Sequence, residues 1–280
     1  MKLIKYLTLS LLFCSGISVA EQVKFETATT TVNAEITVPE LPGKKKAIVI
    51  LHHGGGYNFG TTKQYAEFFK EKGYITLEPE LFNGKPGRSD TYIPYVFSAL
   101  KLLADRADVD KDNISIMGLS FGANLTIYSA TSWANEKYNK SGTKFKSYAS
   151  LYPVCFALED YMSDTMPARL KQAVYGGYPD AFMSKWTQSP LAIFKGSDDD
   201  YEAKDSGVCQ RFVDLIPDEV QRKQTTVKMY NGATHGWDQG RTFSFNEKVV
   251  NKFRGGTNTN KSDSKITELV KSDLLTFVDN

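Results

Sequence analysis

Cysteine and histidine are scarce in this 280-residue chain, at three each, and neither charge is in excess, with 34 Lys+Arg against 32 Asp+Glu. So few cysteines exclude a disulfide scaffold, and the ordinary composition excludes collagen-like and coiled-coil chains. Balanced charge leaves no basic surplus to grip nucleic acid. The 41% hydrophobic content, with so little net charge, excludes global disorder. The apolar stretch at the start is too short for a membrane anchor, which needs roughly 18 apolar residues. Ser10, Cys14, Ser15 and Gly16 interrupt it.

That first segment has Lys2 and Lys5, an apolar centre over residues 6–13 and a small-x-small end at Ser18-Val19-Ala20. Such a pattern reads as a secretory signal peptide over residues 1–20, implying export to the periplasm or medium. Its removal takes away two lysines and no acid, leaving 32 residues of each sign. It also removes Cys14, so Cys155 and Cys209 remain. Two cysteines in an oxidising compartment allow one pairing, so a disulfide is expected over two separate thiols.

Residues 22–38 alternate and are rich in β-branched types, which predicts an antiparallel hairpin. AIVILHH then reads as a buried parallel strand. Helices near 62–72 and 91–105 alternate with the strands YITLEP and NISIMG. A helix from 121, the strands KSYASLYP, PLAIFKG and TTVKMYN, a helix near 205–216 and a last helix near 264–278 follow. Strands alternating with helices imply an α/β fold, a mostly parallel sheet with helices on both faces. With no linker in sight, residues 21–280 read as one domain. Residues 156–187 lack a clear period and are expected to form a small cap, and 255–264 (GGTNTNKSDS) a solvated loop.

Gly118-Leu119-Ser120-Phe121-Gly122 ends one strand and opens a helix, the setting in which G-x-S-x-G carries a nucleophile. A serine on that sharp turn stands clear of its backbone, at a helix N-terminus that favours developing negative charge. The hydroxyl needs a base, and His235 is the one histidine after Ser120. An acid to orient the imidazole should lie between them; Asp198, Asp199 and Asp200 follow the strand PLAIFKG, and spacing does not choose among them.

His52-His53-Gly54-Gly55-Gly56 follows the strand AIVIL, where glycine amides can approach a substrate oxygen. Gly54, Gly55 and Phe121 are the expected oxyanion-hole donors. Adjacent His52 and His53 suggest a metal, but zinc sites use three or four protein ligands and His235 serves the serine, so neither metal nor cofactor is expected.

With these motifs the chain resembles the dienelactone hydrolase family of α/β-hydrolases, from the LHHGGG loop to the ATHGWD loop. Residues 108–115, Tyr152-Pro153 and Gly196-x-x-Asp199-Asp200-Tyr201 strengthen the likeness. The resemblance implies the order Ser, Asp, His and singles out Asp199, and it places Cys155 and Cys209 where some relatives carry cysteines. Founding members use a cysteine nucleophile, whereas this chain has Ser120, which favours a serine esterase acting on carboxylic esters or lactones. A peptidase or carbohydrate-ester deacetylase would use the same residues, with Tyr161 and Trp186 as pocket candidates, although ordinary packing is the favoured reading of both. A non-catalytic binding protein would need none of them. The expected partner is a small-molecule ester. The composition does not fix an oligomeric state. N-terminal sequencing of the exported protein should begin at Glu21; an earlier start contradicts the leader.

Overall fold

The hairpin forms where alternation places it. Strands β1 (Glu21–Glu26) and β2 (Thr31–Thr37) pair antiparallel, Glu21 opposite Ile36 and Glu26 opposite Thr31. Val32, Ala34 and Ile36 of β2 turn inward. The computed structural model describes residues 20–83 and 86–280; apart from Ala20, the expected leader lies outside the described residues.

Six apolar runs become parallel strands: β3 (Lys45–Leu51), β4 (Ile75–Pro79), β5 (Val109–Leu119), β6 (Tyr148–Leu151), β7 (Leu191–Gly196) and β8 (Thr225–Tyr230). The sheet order is β1-β2-β4-β3-β5-β6-β7-β8, with β2 antiparallel to β4 and every later pair parallel. Helices α1 (Lys63–Glu71), α2 (Ile93–Ala104) and α3 (Phe121–Ser129) follow β3, β4 and β5. Next come α4 (Ser132–Tyr138), α5 (Cys155–Met162) and α6 (Ala168–Tyr175). Helices α7 (Val208–Asp214), α8 (Glu219–Lys223) and α9 (Ser264–Asp279) complete the set among the described residues.

Both faces of the sheet are covered because its strands are apolar on both sides. In β3, Ala47, Val49 and Leu51 join the core with α2, α3 and α7, while Ile48 and Ile50 join the core with Tyr65 and Phe69 of α1 and Val270 and Leu274 of α9.

Two expectations change. Residues 156–187 are not aperiodic throughout: α5 and α6 occupy much of the stretch, and Cys155 at the start of α5 is disulfide-bonded to Cys209 of α7. Residues 255–264 are not simply solvated. Strand β10 (Gly256–Asn260) pairs antiparallel with β9 (Phe243–Glu247), and Asn258 and Asn260 are buried. Local hydrogen bonds offset part of this burial, although Asn258 Oδ1 has no partner among the described residues. The Thr259 amide donates to Asp200 Oδ2 at 2.9 Å, and Asn260 Nδ2 donates to Gln239 Oε1 at 2.8 Å.

Glu78 of β4 is a buried acid left without a side-chain partner in the sheet. It is buried opposite Glu35 of β2, and neither carboxylate oxygen has a hydrogen-bond partner. Burial pushes its carboxyl up to about 7, with the nearby Thr62 hydroxyl pulling it back only in part. The folded chain therefore holds this proton over a pH range in which the unfolded chain releases it, and stability falls as pH rises from about 4.5 to 7. The loss above that range is about 3 kcal/mol. Glu78→Gln should raise the melting temperature at pH 8 and do so much less at pH 5; equal gains at both would contradict the assignment.

Candidate active site

Ser120 sits between β5 and α3 with φ 49° and ψ −108°, a positive-φ conformation that non-glycine residues rarely adopt. Close packing enforces the turn. A Cβ on Gly118 would lie 2.1 Å from the Gly122 carbonyl oxygen, and one on Gly122 would lie 2.6 Å from the Leu51 carbonyl oxygen. The two glycines let strand, turn and helix meet, and they leave Ser120 as the side chain that projects. Ser120 directly precedes the first turn of α3, whose positive dipole end faces the same space.

The residues singled out in the sequence meet here. His235 Nε2 lies 2.7 Å from Ser120 Oγ, and His235 Nδ1 lies 2.8 Å from Asp199 Oδ2. Of the three aspartates, Asp199 alone faces the imidazole: Asp198 is exposed and accepts from Ser197 Oγ, and Asp200 accepts from the Thr259 amide. Asp199 Oδ1 accepts from the Tyr201 amide at 2.9 Å, so both oxygens are held. Burial alone would raise the Asp199 carboxyl pKa, but the charges and hydrogen bonds of His235 and Lys195 outweigh it and hold the group below the usual carboxylate range.

Several neighbours were given no role from the sequence. The Tyr201 and Tyr152 rings lie 4.1 and 5.0 Å from the imidazole. Tyr152 OH donates to Asp238 Oδ1 at 2.8 Å and Tyr65 OH to Asp238 Oδ2 at 2.6 Å, which ties the histidine loop to α1 and to the end of β6. Lys195, 1% exposed, donates to Asp199 Oδ2 at 2.6 Å and to Glu202 Oε1 at 2.9 Å. In the sequence, the one signal was a lone lysine ending an otherwise apolar strand.

The glycine loop differs from expectation at one position. The Gly55 amide donates to His53 Nδ1 at 2.9 Å, so of the expected oxyanion donors it is the one already engaged. Among the described residues the Gly54 amide has no such partner, and the Phe121 amide, first in α3, has no acceptor within its helix. Because His53 Nδ1 accepts, His53 Nε2 carries the proton and donates to Thr61 Oγ1 at 3.0 Å. His52 Nδ1 donates to the His53 carbonyl and Nε2 accepts from the Leu81 amide at 3.0 Å. Burial lowers both imidazoles to about 4, so both are neutral at pH 7.

Ser120, His235, Gly54 and Phe121 open into a cavity of about 530 Å³. Val154, Ala157 and Val174 from the α5–α6 stretch line one part, and Phe243, Phe245 and Val249 from the β9 region line another. The expected cap is therefore shared with a hairpin that the sequence did not reveal. Tyr161 and Trp186, the sequence's pocket candidates, pack into the core instead.

No protein-family model and no curated protein matches the chain. Solved structures do. Est1E from Butyrivibrio proteoclasticus superimposes with a TM-score of 0.61 at 15% identity, covering 92% of this chain and 99% of that one. Esterase 2 of Thermogutta terrifontis, phosphoramylated by tabun, gives 0.62 at 14% identity over 95% of this chain and 96% of its own. A dienelactone hydrolase-like promiscuous phosphotriesterase from metagenomic libraries gives 0.64 at 12% identity, covering 94% and 98%. The chain has the α/β-hydrolase fold, similar to that of dienelactone hydrolase-like proteins.

A Cβ on Gly55 would lie 2.6 Å from His53 Cε1, whereas one on Gly54 would meet nothing within 4 Å. Gly55→Ala should lower stability by about 1–3 kcal/mol and Gly54→Ala by less than about 0.5 kcal/mol. Equal losses in urea unfolding would contradict the packing of this loop.

Proposed function

We propose that the protein is a serine hydrolase that cleaves carboxylic esters or lactones through an acyl-enzyme. The observation that carries the reading is the unbroken hydrogen-bonded series Ser120–His235–Asp199 opening into a largely apolar cavity. The esterase named among the structural neighbours, that of Thermogutta terrifontis, agrees with it.

In this reading His235 Nε2 takes the Ser120 proton as Oγ attacks the acyl carbon, and Asp199 stabilises the imidazolium that forms. The Gly54 and Phe121 amides receive the oxyanion, a contribution of about 3–4 kcal/mol per donor in comparable sites. The imidazolium then returns its proton to the leaving alcohol, and water, activated by the same histidine, releases the acid. The reaction balances without a cofactor.

Phe59, Phe121, Tyr128, Val154, Ala157 and Val174 give the cavity an apolar wall suited to uncharged acyl groups larger than acetyl. We further read residues 1–20 as a cleaved leader and 21–280 as a single exported domain; the Cys155–Cys209 bridge suits an oxidising compartment.

Hydrolysis of p-nitrophenyl esters tests the reading. kcat/KM should rise by about fourfold per added methylene from acetate until the chain outgrows the cavity. Ser120→Ala should lose at least about 10³-fold. Full activity in Ser120→Ala would overturn the assignment.

A further inference from the structure

Lys195 belongs to no motif, yet it sits at the centre of the most heavily charged buried cluster beside the serine. An ammonium taken out of water costs several kcal/mol unless its donors are filled. Here all three are: Nζ donates to the Pro153 carbonyl at 2.8 Å, to Asp199 Oδ2 at 2.6 Å and to Glu202 Oε1 at 2.9 Å. Asp199 Oδ2 is thereby shared between the ammonium and the His235 imidazole, while Tyr201 holds Oδ1. Rotating the carboxylate would break bonds to three elements at once.

Glu202 extends the arrangement to the cavity wall. Its Oε1 also accepts from the Cys155 amide at 2.7 Å, and its Oε2 from the Phe156 amide at 3.0 Å. These are the first two amides of α5, and Val154 and Ala157 beside them line the cavity.

We propose that Lys195, anchored by Glu202, is a positioning residue for the proposed hydrolase: it fixes the Asp199 carboxylate and offsets part of its charge, setting the proton affinity of the Asp199–His235 pair. This rests on the serine-hydrolase reading above. The groups facing Asp199 are Lys195 on β7, Tyr201 and Glu202 on the turn after it, His235 on the loop after β8, and Tyr152 after β6, with Asp238 behind the imidazole. Of these, Lys195 is the fixed cation. With the serine at rest, two carboxylates face one ammonium; when the imidazolium forms during attack, the four charges balance. Without Lys195 the surplus negative charge doubles, and the pair holds its proton to higher pH. The acid limb of activity belongs to the pair as a unit.

The test is the pH dependence of kcat/KM for p-nitrophenyl butyrate in the wild type, Lys195→Met and Lys195→Met/Glu202→Gln. The acid limb should move up by about one pH unit in Lys195→Met, with kcat at the optimum lowered by about tenfold and KM little changed. The double variant removes the buried glutamate charge together with the lysine, guarding against an unpaired carboxylate preventing folding; it should show a smaller upward shift, because Lys195 touches Asp199 Oδ2 directly whereas Glu202 reaches it only through the ammonium. An acid limb that stays in place in a folded variant, whatever happens to kcat, would overturn the proposal. Circular dichroism showing both variants unfolded would also overturn it, leaving Lys195 a folding requirement. Absence of Ser120-dependent hydrolysis in the wild type would instead sink the serine-hydrolase reading.

Discussion

One carboxylate oxygen, Asp199 Oδ2, receives both an imidazole and an ammonium in a site that is almost wholly buried. Buried charge is tolerated only when partners are held in place, and the surrounding structure supplies that restraint. Strand β7 carries Lys195, the turn after it carries Asp199, Tyr201 and Glu202, and the loop after β8 brings His235. The Tyr65–Asp238–Tyr152 group then fixes that loop against the opposite core. The parallel sheet brings the ends of β5, β7 and β8 to one edge, with β6 between β5 and β7, and the close contacts of Gly118 and Gly122 aim Ser120 at the same point.

The cavity depends on the same cluster. Glu202 holds the start of α5, the Cys155–Cys209 bridge joins α5 to α7, and Phe253 packs on Phe156 from the segment after β9. The carboxylate that anchors Lys195 thus also anchors part of the apolar wall. In the proposed hydrolase, substrate fit and proton transfer would share a support, which is how a site built on rigid elements keeps its geometry.

The sheet was legible because its strands are apolar on both faces and lie between clear turns, and the elbow because G-x-S-x-G at a strand–helix junction has few other uses. His235 followed from histidine scarcity. Asp199 was not fixed by spacing, since three adjacent aspartates offer the same chemistry; burial separates them, and burial is a property of the fold. The engagement of Gly55 was not legible because a glycine-rich loop says that amides can approach a ligand, not which one a neighbouring imidazole has already engaged. The β9–β10 hairpin was missed because a run rich in Gly, Asn and Ser reads as a loop until Asp200 and Gln239 supply partners distant in sequence. Lys195 was missed for the same reason: its partners lie on separate segments, two of them after the strand that carries it.

The central claim is that Ser120 is an activated nucleophile. Labelling of the purified protein with a fluorophosphonate probe, followed by peptide mapping, tests it most directly, because the reagent phosphonylates a serine only when a base removes its proton and an oxyanion site receives the charge. The account predicts a single adduct on Ser120 that disappears in His235→Ala. A folded wild-type protein left unlabelled under conditions that modify a known serine esterase, or an adduct on another residue, would contradict it.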